Sequence, residues 1–179
     1  MQLDISKILL QPATVYYLRM DANPHYHLQQ PANTAIKEIG KPVSVEEYRK
    51  YYSNAGKDYH WLDRLVMPAE ELHALINAPN NFLFVLFCNN EETGYVELLK
   101  ENQFVELQYF GLFPSGIGKG LGKYFLQWAI NKAWSFNPEW LQVNTCSLDH
   151  PAALPLYKKC GFVQYNQTIE QRKVYSTPV

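Results

Sequence analysis

The sequence predicts a mixed α/β fold, with about four helices packed on a mostly antiparallel sheet of six or seven strands. Three apolar and aromatic stretches follow one another across residues 81–114, joined by short polar turns, and this favours an antiparallel meander. Helix-like stretches precede and follow the meander, so helices should cover the sheet. The 179 residues are 47% hydrophobic, enough to bury the core of a single domain over residues 1–179.

Local patterns in the first 80 residues predict one strand and two helices. Ser44 stands three residues before Glu47, the spacing of a capping box, and Pro68 suits the start of a second helix. The expected order is a strand at 13–21, an irregular connection at 25–42, a helix at 44–54 and a helix at 68–78.

The last 60 residues predict two helices and three strands. From Leu121 onward apolar side chains recur every three or four residues, as on one face of a helix, and Gly161 suits the end of a shorter helix. The expected order is a helix from 121 to about 133, a strand at 140–148, a short helix at 151–160 and closing strands at 162–167 and 172–176.

Charge and composition exclude several classes of partner. The 16 Lys and Arg balance 17 Asp and Glu, so we expect no nucleic acid and no membrane partner. The longest apolar run, residues 82–88, is too short to span a bilayer, and residues 1–12 lack the pattern of a signal peptide, which predicts a cytoplasmic protein. The three cysteines are widely spaced without a CxxC, so we expect neither a disulfide framework nor a metal site.

Four of the nine glycines alternate with other residues directly before the third predicted helix, at positions 116, 118, 120 and 122. A glycine-rich turn between a strand and a helix presents backbone amides that can bind a phosphate or diphosphate. The Walker spacing fails, because it requires glycine at Ile117 and Ser or Thr at Tyr124. The dinucleotide pattern GxGxxG fails at every start.

The pattern G-K-G-L-G at 118–122 resembles the acyl-coenzyme A loop of the GCN5-related N-acetyltransferase (GNAT) superfamily. That loop has Gln or Arg, two free positions, Gly, one free position, then Gly or Ala. Gly120 and Gly122 take the small positions, and Ile117 departs from the Gln/Arg position. Residues 153–162, "ALPLYKKCGF", resemble the family's ALxLYxxxGF, and the resemblance extends over about residues 82–165.

The resemblance implies the GNAT acyl-CoA N-acyltransferase fold, in which the fourth and fifth strands splay apart around the coenzyme. It implies an acyl-CoA-binding core at about 82–165 and an acceptor-binding part at about 20–80. Gly111 would fit a bulge in the fourth strand. Lys119 and Lys123 would add charge near the diphosphate, or lie solvated on the helix surface. The implied contacts to acetyl-CoA are Leu112, Phe113, Ile117, Gly118, Lys119, Gly120, Leu121, Gly122, Lys123, His150 and Tyr157.

The implied reaction is transfer of an acetyl group from acetyl-CoA to a primary amine, by direct attack in a ternary complex and without a metal. Tyr157 is the candidate general acid, and its alternative role is packing. Glu106 is the candidate base because it lies six residues before Leu112, which places both on one strand face. Glu97 and a water chain are the alternatives. His150 takes the position of a family Asn, where it would bond the pantetheine or cap a helix.

The acceptor is predicted to bind through Tyr59, Trp61 and Asp63, which bring aromatic faces and a carboxylate into one loop. The alternative is structural: Trp61 fills the core and Asp63 pairs with Arg64. The sequence leaves open a small-molecule amine or a protein or peptide amine, and also a homodimer. A second hypothesis is a non-catalytic acyl-CoA sensor or interaction module, which would bind the coenzyme without turnover.

Overall fold

The computed structural model describes residues 4–176. Its strands are β1 Ile8–Met20, β2 Thr34–Glu38, β3 Asn81–Cys88, β4 Glu91–Lys100, β5 Phe104–Leu112, β6 Trp140–Cys146 and β7 Val163–Tyr175. Its helices are α1 Val45–Gly56, α2 Asp63–Val66, α3 Ala69–Ile76, α4 Leu121–Trp134 and α5 Ala153–Lys159.

The seven strands form one sheet in the order β2-β3-β4-β5-β6-β1-β7. Among the described residues only the pairing of β5 with β6 is parallel, so the predicted mixed fold with a mostly antiparallel sheet is confirmed. Helices cover both faces: α1 and α3 enclose one apolar core, and α4 and α5 enclose the other. The central strands are thereby buried on both faces, whereas β7 and the first half of β1 remain largely exposed.

The elements with strong local signals form as predicted. Ser44 caps α1, and its hydroxyl accepts a hydrogen bond from the Glu47 amide at 3.1 Å. This satisfies one of the amides that have no partner inside the helix. The meander of β3, β4 and β5 pairs in antiparallel order, as the short turns predicted.

Two strand predictions are wrong, and both concern the edges of the sheet. Residues 34–38 lie in the stretch expected to be irregular, but they form β2 by pairing with β3. Residues 163–175 form one strand of 13 residues where two were expected, because β7 pairs along the whole of β1. Edge strands are held by long-range hydrogen bonds and face water, so their sequences carry little apolar alternation.

The splay of β5 and β6 predicted from the resemblance is confirmed. Their pairing runs only from Phe104–Trp140 to Leu107–Val143, and beyond it the strands diverge. The predicted bulge at Gly111 is wrong. The bulge lies at Gln108, because Glu97 pairs with Tyr109 and the next residue, Leu98, pairs with Leu107.

Gly111 has a different role from the one expected. It remains paired with Tyr95 in the ladder, and a Cβ added there would lie 2.8 Å from the Ala55 Cβ of α1. The missing side chain therefore lets α1 approach β5 closely, instead of permitting a bend.

Candidate functional site

The divergence of β5 and β6 opens a cleft of about 490 Å³. Residues 107–112 of β5 form one wall, and residues 144–157 from β6 and α5 form the other. Because β5 has no partner strand on this side after Leu107, its backbone groups face the cleft. A ligand can pair with them as an added strand would.

Three of the four glycines in the loop at one end of the cleft have a structural reason. A Cβ at Gly116 would lie 2.3 Å from the Thr93 carbonyl oxygen, so only glycine fits. Gly118 and Gly120 have φ values of 79° and 72°, which side chains disfavour. Gly122 lies in the first turn of α4 and lines the cleft.

The N-terminus of α4 meets the cleft at this loop. Gly120 is its N-cap, and no side chain of the described residues caps it. The amides of the first turn are therefore open at the positive end of the helix dipole, which suits a diphosphate. Leu121 anchors the turn in the core, whereas Lys119 and Lys123 are exposed beside it.

Tyr157 lies on α5 and its side chain lines the cleft. It is only 6% exposed, and its ring packs edge-on against Phe110 and Phe162. Burial, and then the negative charge of Asp149, raise the pKa of the Tyr157 phenol. The hydroxyl is therefore protonated at neutral pH, as a general acid must be.

Glu106 does not share a face with Leu112. The bulge at Gln108 breaks the two-residue periodicity, so Glu106 lies on the face of Tyr109 while Leu112 lies on the α4 face. Glu106 is outside the cleft lining, beside the point where the strands part. Its carboxylate accepts hydrogen bonds from Asn144 at 3.1 Å and Gln142 at 3.3 Å. Burial raises the pKa of Glu106, and the two hydrogen bonds oppose that rise.

Glu97, the alternative base, is fully buried and engaged. Its carboxylate accepts hydrogen bonds from Tyr48 at 2.6 Å and Asn81 at 2.7 Å, and it pairs with Arg64 at 3.5 Å. This cluster joins α1 and α2 to the sheet. A carboxylate with three partners and no exposure is poorly placed to receive a substrate proton.

Asp149 and His150 lie in the loop between β6 and α5. His150 Nδ1 accepts a hydrogen bond from the Ala152 amide at 3.0 Å, within the turn before α5, and α5 itself has no side-chain cap among the described residues. Asp149 joins two parts of the cleft. It accepts hydrogen bonds from the Trp61 indole at 2.8 Å, from the Thr145 hydroxyl at 2.7 Å and from the Cys146 amide at 2.8 Å.

The sequence matches the model of the Acetyltransferase (GNAT) family over residues 45–162, about two thirds of the chain. This range includes β5, the glycine loop, α4, β6 and α5, which form most of the cleft. The chain belongs to the GNAT family. No curated protein matches the sequence.

Solved structures share this GNAT fold at low identity. A GCN5-related N-acetyltransferase from Sphaerobacter thermophilus has TM-score 0.65 and 10% identity, covering 94% of this chain and 54% of its own. A tandem GNAT protein from the clavulanic acid biosynthesis pathway has TM-score 0.66 and 14% identity, covering 94% and 55%. The IAA acetyltransferase from Bacillus cereus has TM-score 0.53 and 20% identity, covering 74% and 79%. The chain thus spans little more than half the length of the first two, and these identities establish the fold alone.

The three residues that the sequence predicted to bind the acceptor lie in the cleft. Tyr59, Trp61 and Asp63 all line the cleft. The structural alternative of an Asp63–Arg64 pair is wrong, because Asp63 pairs with Lys173 of β7 and Arg64 pairs with Glu97. Trp61 packs between Tyr52 and Tyr109, and a Cβ at Gly56 would collide with its ring.

The structure does not bring every expected coenzyme contact into the GNAT cleft. Phe113 is buried on the α1 face, and its amide donates to the Thr93 carbonyl at 2.8 Å. Lys119, Gly120, Leu121 and Lys123 belong to the loop and helix end beside the cleft. Leu112, Ile117, Gly118, Gly122, His150 and Tyr157 line it.

Sequence reasoning missed the cleft residues from β7 and the role of Asp149. Arg172 and Lys173 line the cleft although about 50 residues separate them from the end of the glycine loop. These residues reach the cleft because β7 pairs with β1 over its whole length. The sequence pattern had predicted two short strands in this part of the chain instead.

Within residues 4–176 no group of three or more His, Cys, Asp or Glu side chains is arranged to hold a metal ion. The helices of the same residues are all too short or too polar to cross a membrane. The three cysteines are free thiols.

Proposed function

We propose that this chain is an N-acetyltransferase that moves the acetyl group of acetyl-CoA to a primary amine by direct attack in a ternary complex. The observation that carries the proposal is one cleft that joins the open amide end of α4 to the Tyr157 side chain. The same cleft continues to the aromatic residues of the acceptor end. An activated acyl group held there is within reach of both an acid and an amine.

The loop residues fit an acyl-coenzyme A. Gly118 and Gly120 have positive φ values, and a Cβ at either would meet nothing within 4 Å. The loop is therefore open on its outer side, as a bound diphosphate requires. The coenzyme supplies an activated thioester, and Ile117, which is 53% exposed, replaces the polar residue usual in the family.

The residues of the cleft then have defined roles in the transfer. The amine nitrogen forms a bond to the thioester carbon, and the carbon–sulfur bond breaks. Tyr157 donates its phenol proton to the departing sulfur. Glu106 takes the proton lost by the amine by way of water, because its carboxylate lies beside the cleft and not in its lining.

Cys146 lines the cleft, and its properties support direct transfer. Burial, and then the charge of Asp149, raise the pKa of the Cys146 thiol. A thiol with a raised pKa has little thiolate at neutral pH and is a weak nucleophile. An acyl-cysteine intermediate is therefore disfavoured.

The test is release of free coenzyme A thiol from acetyl-CoA with a panel of small amines and peptide amines. Turnover with at least one amine is expected, and Tyr157→Phe should lower kcat by about 10²-fold, the usual size of an acid–base contribution. Calorimetry should show unchanged acetyl-CoA binding in that variant.

The matched control is Tyr165→Phe, since Tyr165 lies on β7 with 59% of its surface exposed and outside the cleft. It should leave kcat unchanged. Acetyl-CoA binding without thiol release for any amine would favour the non-catalytic sensor. Equal rates in both Tyr variants would remove Tyr157 as the acid.

A further inference from the structure

Arg172 brings a cation from β7 into the acceptor end of the cleft. Its side chain is 32% exposed and lines the same cavity as Asn144 and Cys146. Among residues 4–176 its guanidinium has one partner, Glu170, which lies beside Nη2, and the Nε atom is buried. The part of the guanidinium that is exposed in the cleft can therefore donate hydrogen bonds to a ligand.

The guanidinium of Arg172 is held in place from one side. Its Nη2 atom lies 3.2 Å from a carboxylate oxygen of Glu170. Glu170 in turn accepts hydrogen bonds from the Tyr17 hydroxyl and from the Thr168 hydroxyl, and these bonds lower the pKa of the Glu170 carboxyl. Glu170 is therefore an anion that holds one side of the Arg172 guanidinium, while the Arg172 side chain lines the cleft.

The other charged groups of the cleft already have partners. Lys173 pairs with Asp63, so these two charges cancel. Both oxygens of Asp149 accept hydrogen bonds from neighbouring groups. Arg172 is thus the cleft cation whose hydrogen bonding is incomplete among the described residues.

The guanidinium also lies close to the acyl-transfer region. Its positive charge acts on the Cys146 thiol and partly opposes the rise in pKa that burial causes there. Cys146 is the last residue of β6, at the wider part of the splay. An anionic group bound to Arg172 would therefore share the cleft with the reacting amine.

We propose that Arg172 binds a carboxylate of the acyl acceptor, so that the acceptor is an amine that also carries a carboxylate, such as a free amino acid. This inference rests on the proposed function and names the substrate class of the same site. A guanidinium binds a carboxylate through parallel hydrogen bonds, and the exposed part of the Arg172 guanidinium that lines the cleft can supply them.

The experiment compares L-amino acids with their carboxamides as acceptors, with acetyl-CoA as donor. The wild-type protein should have a kcat/KM about 10- to 100-fold higher for the acids, the range for hydrogen bonds to a charged group. The carboxamides have the less basic amine, so protonation of the nucleophile does not explain a slower reaction. Arg172→Gln should remove the difference by raising KM for the acids.

The control substitution is Arg19→Gln. Arg19 is a partly exposed arginine of the neighbouring strand β1, paired with Asp21 and outside the cleft. The Arg19→Gln variant should keep the wild-type preference for amino acids over their carboxamides. Arg172→Lys keeps the charge without the planar fork and should restore only part of the preference. Calorimetry with acetyl-CoA should give the same affinity in wild type and Arg172→Gln, and thermal unfolding should show that the variant is folded.

The outcomes separate this inference from the proposed function. If the wild type acetylates acids and carboxamides equally, the inference is overturned and the proposed function stands. If no amine is acetylated, calorimetry should measure the binding of amino acids to the wild type and to Arg172→Gln in the presence of acetyl-CoA. Binding that Arg172→Gln abolishes supports the carboxylate site while the proposed function fails, and absence of binding overturns both.

Discussion

Glu97 and Glu106 lie on neighbouring strands, and their surroundings give them different chemistry. Glu97 is enclosed by Tyr48, Asn81 and Arg64, and it holds α1 and α2 to the sheet. Glu106 stands where β5 and β6 part, with two amide side chains as partners. A raised pKa and a position beside the cleft favour Glu106 as the proton acceptor.

The pH dependence of kcat/KM tests this role of Glu106. A base acts only when deprotonated, and burial raises the pKa of Glu106, so activity should be lost as the pH falls through a value above about 4.3, the ordinary value for glutamate. Glu106→Gln should lower kcat by about 10²-fold and remove that acidic limb. The measurement is a pH–rate profile of both proteins.

Glu91→Gln is the control, because Glu91 is exposed at the start of β4 and outside the cleft. Its profile should match that of the wild type. An acidic limb that survives in Glu106→Gln would assign the proton to a water chain or another group.

The start of α4 combines three features that suit an anion. Gly116 packs closely against Thr93, Gly118 and Gly120 have positive φ, and no side chain of the described residues caps the helix. The missing cap leaves amides of the first helical turn without a partner inside the helix. The helix dipole then favours an anion at that point.

Gly120→Ala and Gly122→Ala should have opposite effects on stability. A residue at Gly120 must hold φ near 72°, so alanine should cost about 1–2 kcal/mol of unfolding free energy and weaken acetyl-CoA binding at least tenfold. Gly122 is within α4, where alanine should gain about 0.5–1 kcal/mol. Denaturant unfolding and calorimetry measure both quantities.

Gly122→Ala serves as the matched control for binding. Its new Cβ would lie 3.7 Å from Leu112, an ordinary contact, so acetyl-CoA affinity should be retained. Unchanged affinity in Gly120→Ala would show that the loop conformation does not determine coenzyme binding.

The cleft depends on the whole molecule. Its walls come from four separate stretches of the chain, residues 52–63, 107–122, 144–157 and 172–173. These stretches meet only when the sheet is complete, from the meander through to β7. The unfolded chain therefore has no such cleft.

Acetyl-CoA should consequently raise the melting temperature. At 100 times Kd the stabilisation is about 2.7 kcal/mol, which corresponds to about 5–11 °C for a domain of this size. A thermal scan with and without acetyl-CoA measures the shift. Adenosine, which lacks the diphosphate and the pantetheine arm, should give almost none, and an equal shift with adenosine would contradict the diphosphate site.

The sequence by itself determined the elements whose causes are local. The Ser44 cap, the turns of the meander, the periodicity of α4 and the alternating glycines depend on residues within a few positions of one another. The GNAT resemblance was also local, since it lay in the loop and in residues 153–162. These signals were enough to predict the fold and to locate the glycine loop at one end of the cleft.

Only the tertiary structure decided the features that depend on pairing between distant strands. The bulge at Gln108 moved Glu106 to the other face of β5, and the full pairing of β7 with β1 brought Arg172 into the cleft. The partners of Asp63 and Glu97 were likewise set by contacts far along the chain. Strand register is set jointly by two segments of the chain, so it cannot be read from either segment alone. The part of the cleft near Asp63 and Arg172 depends on such long-range pairing.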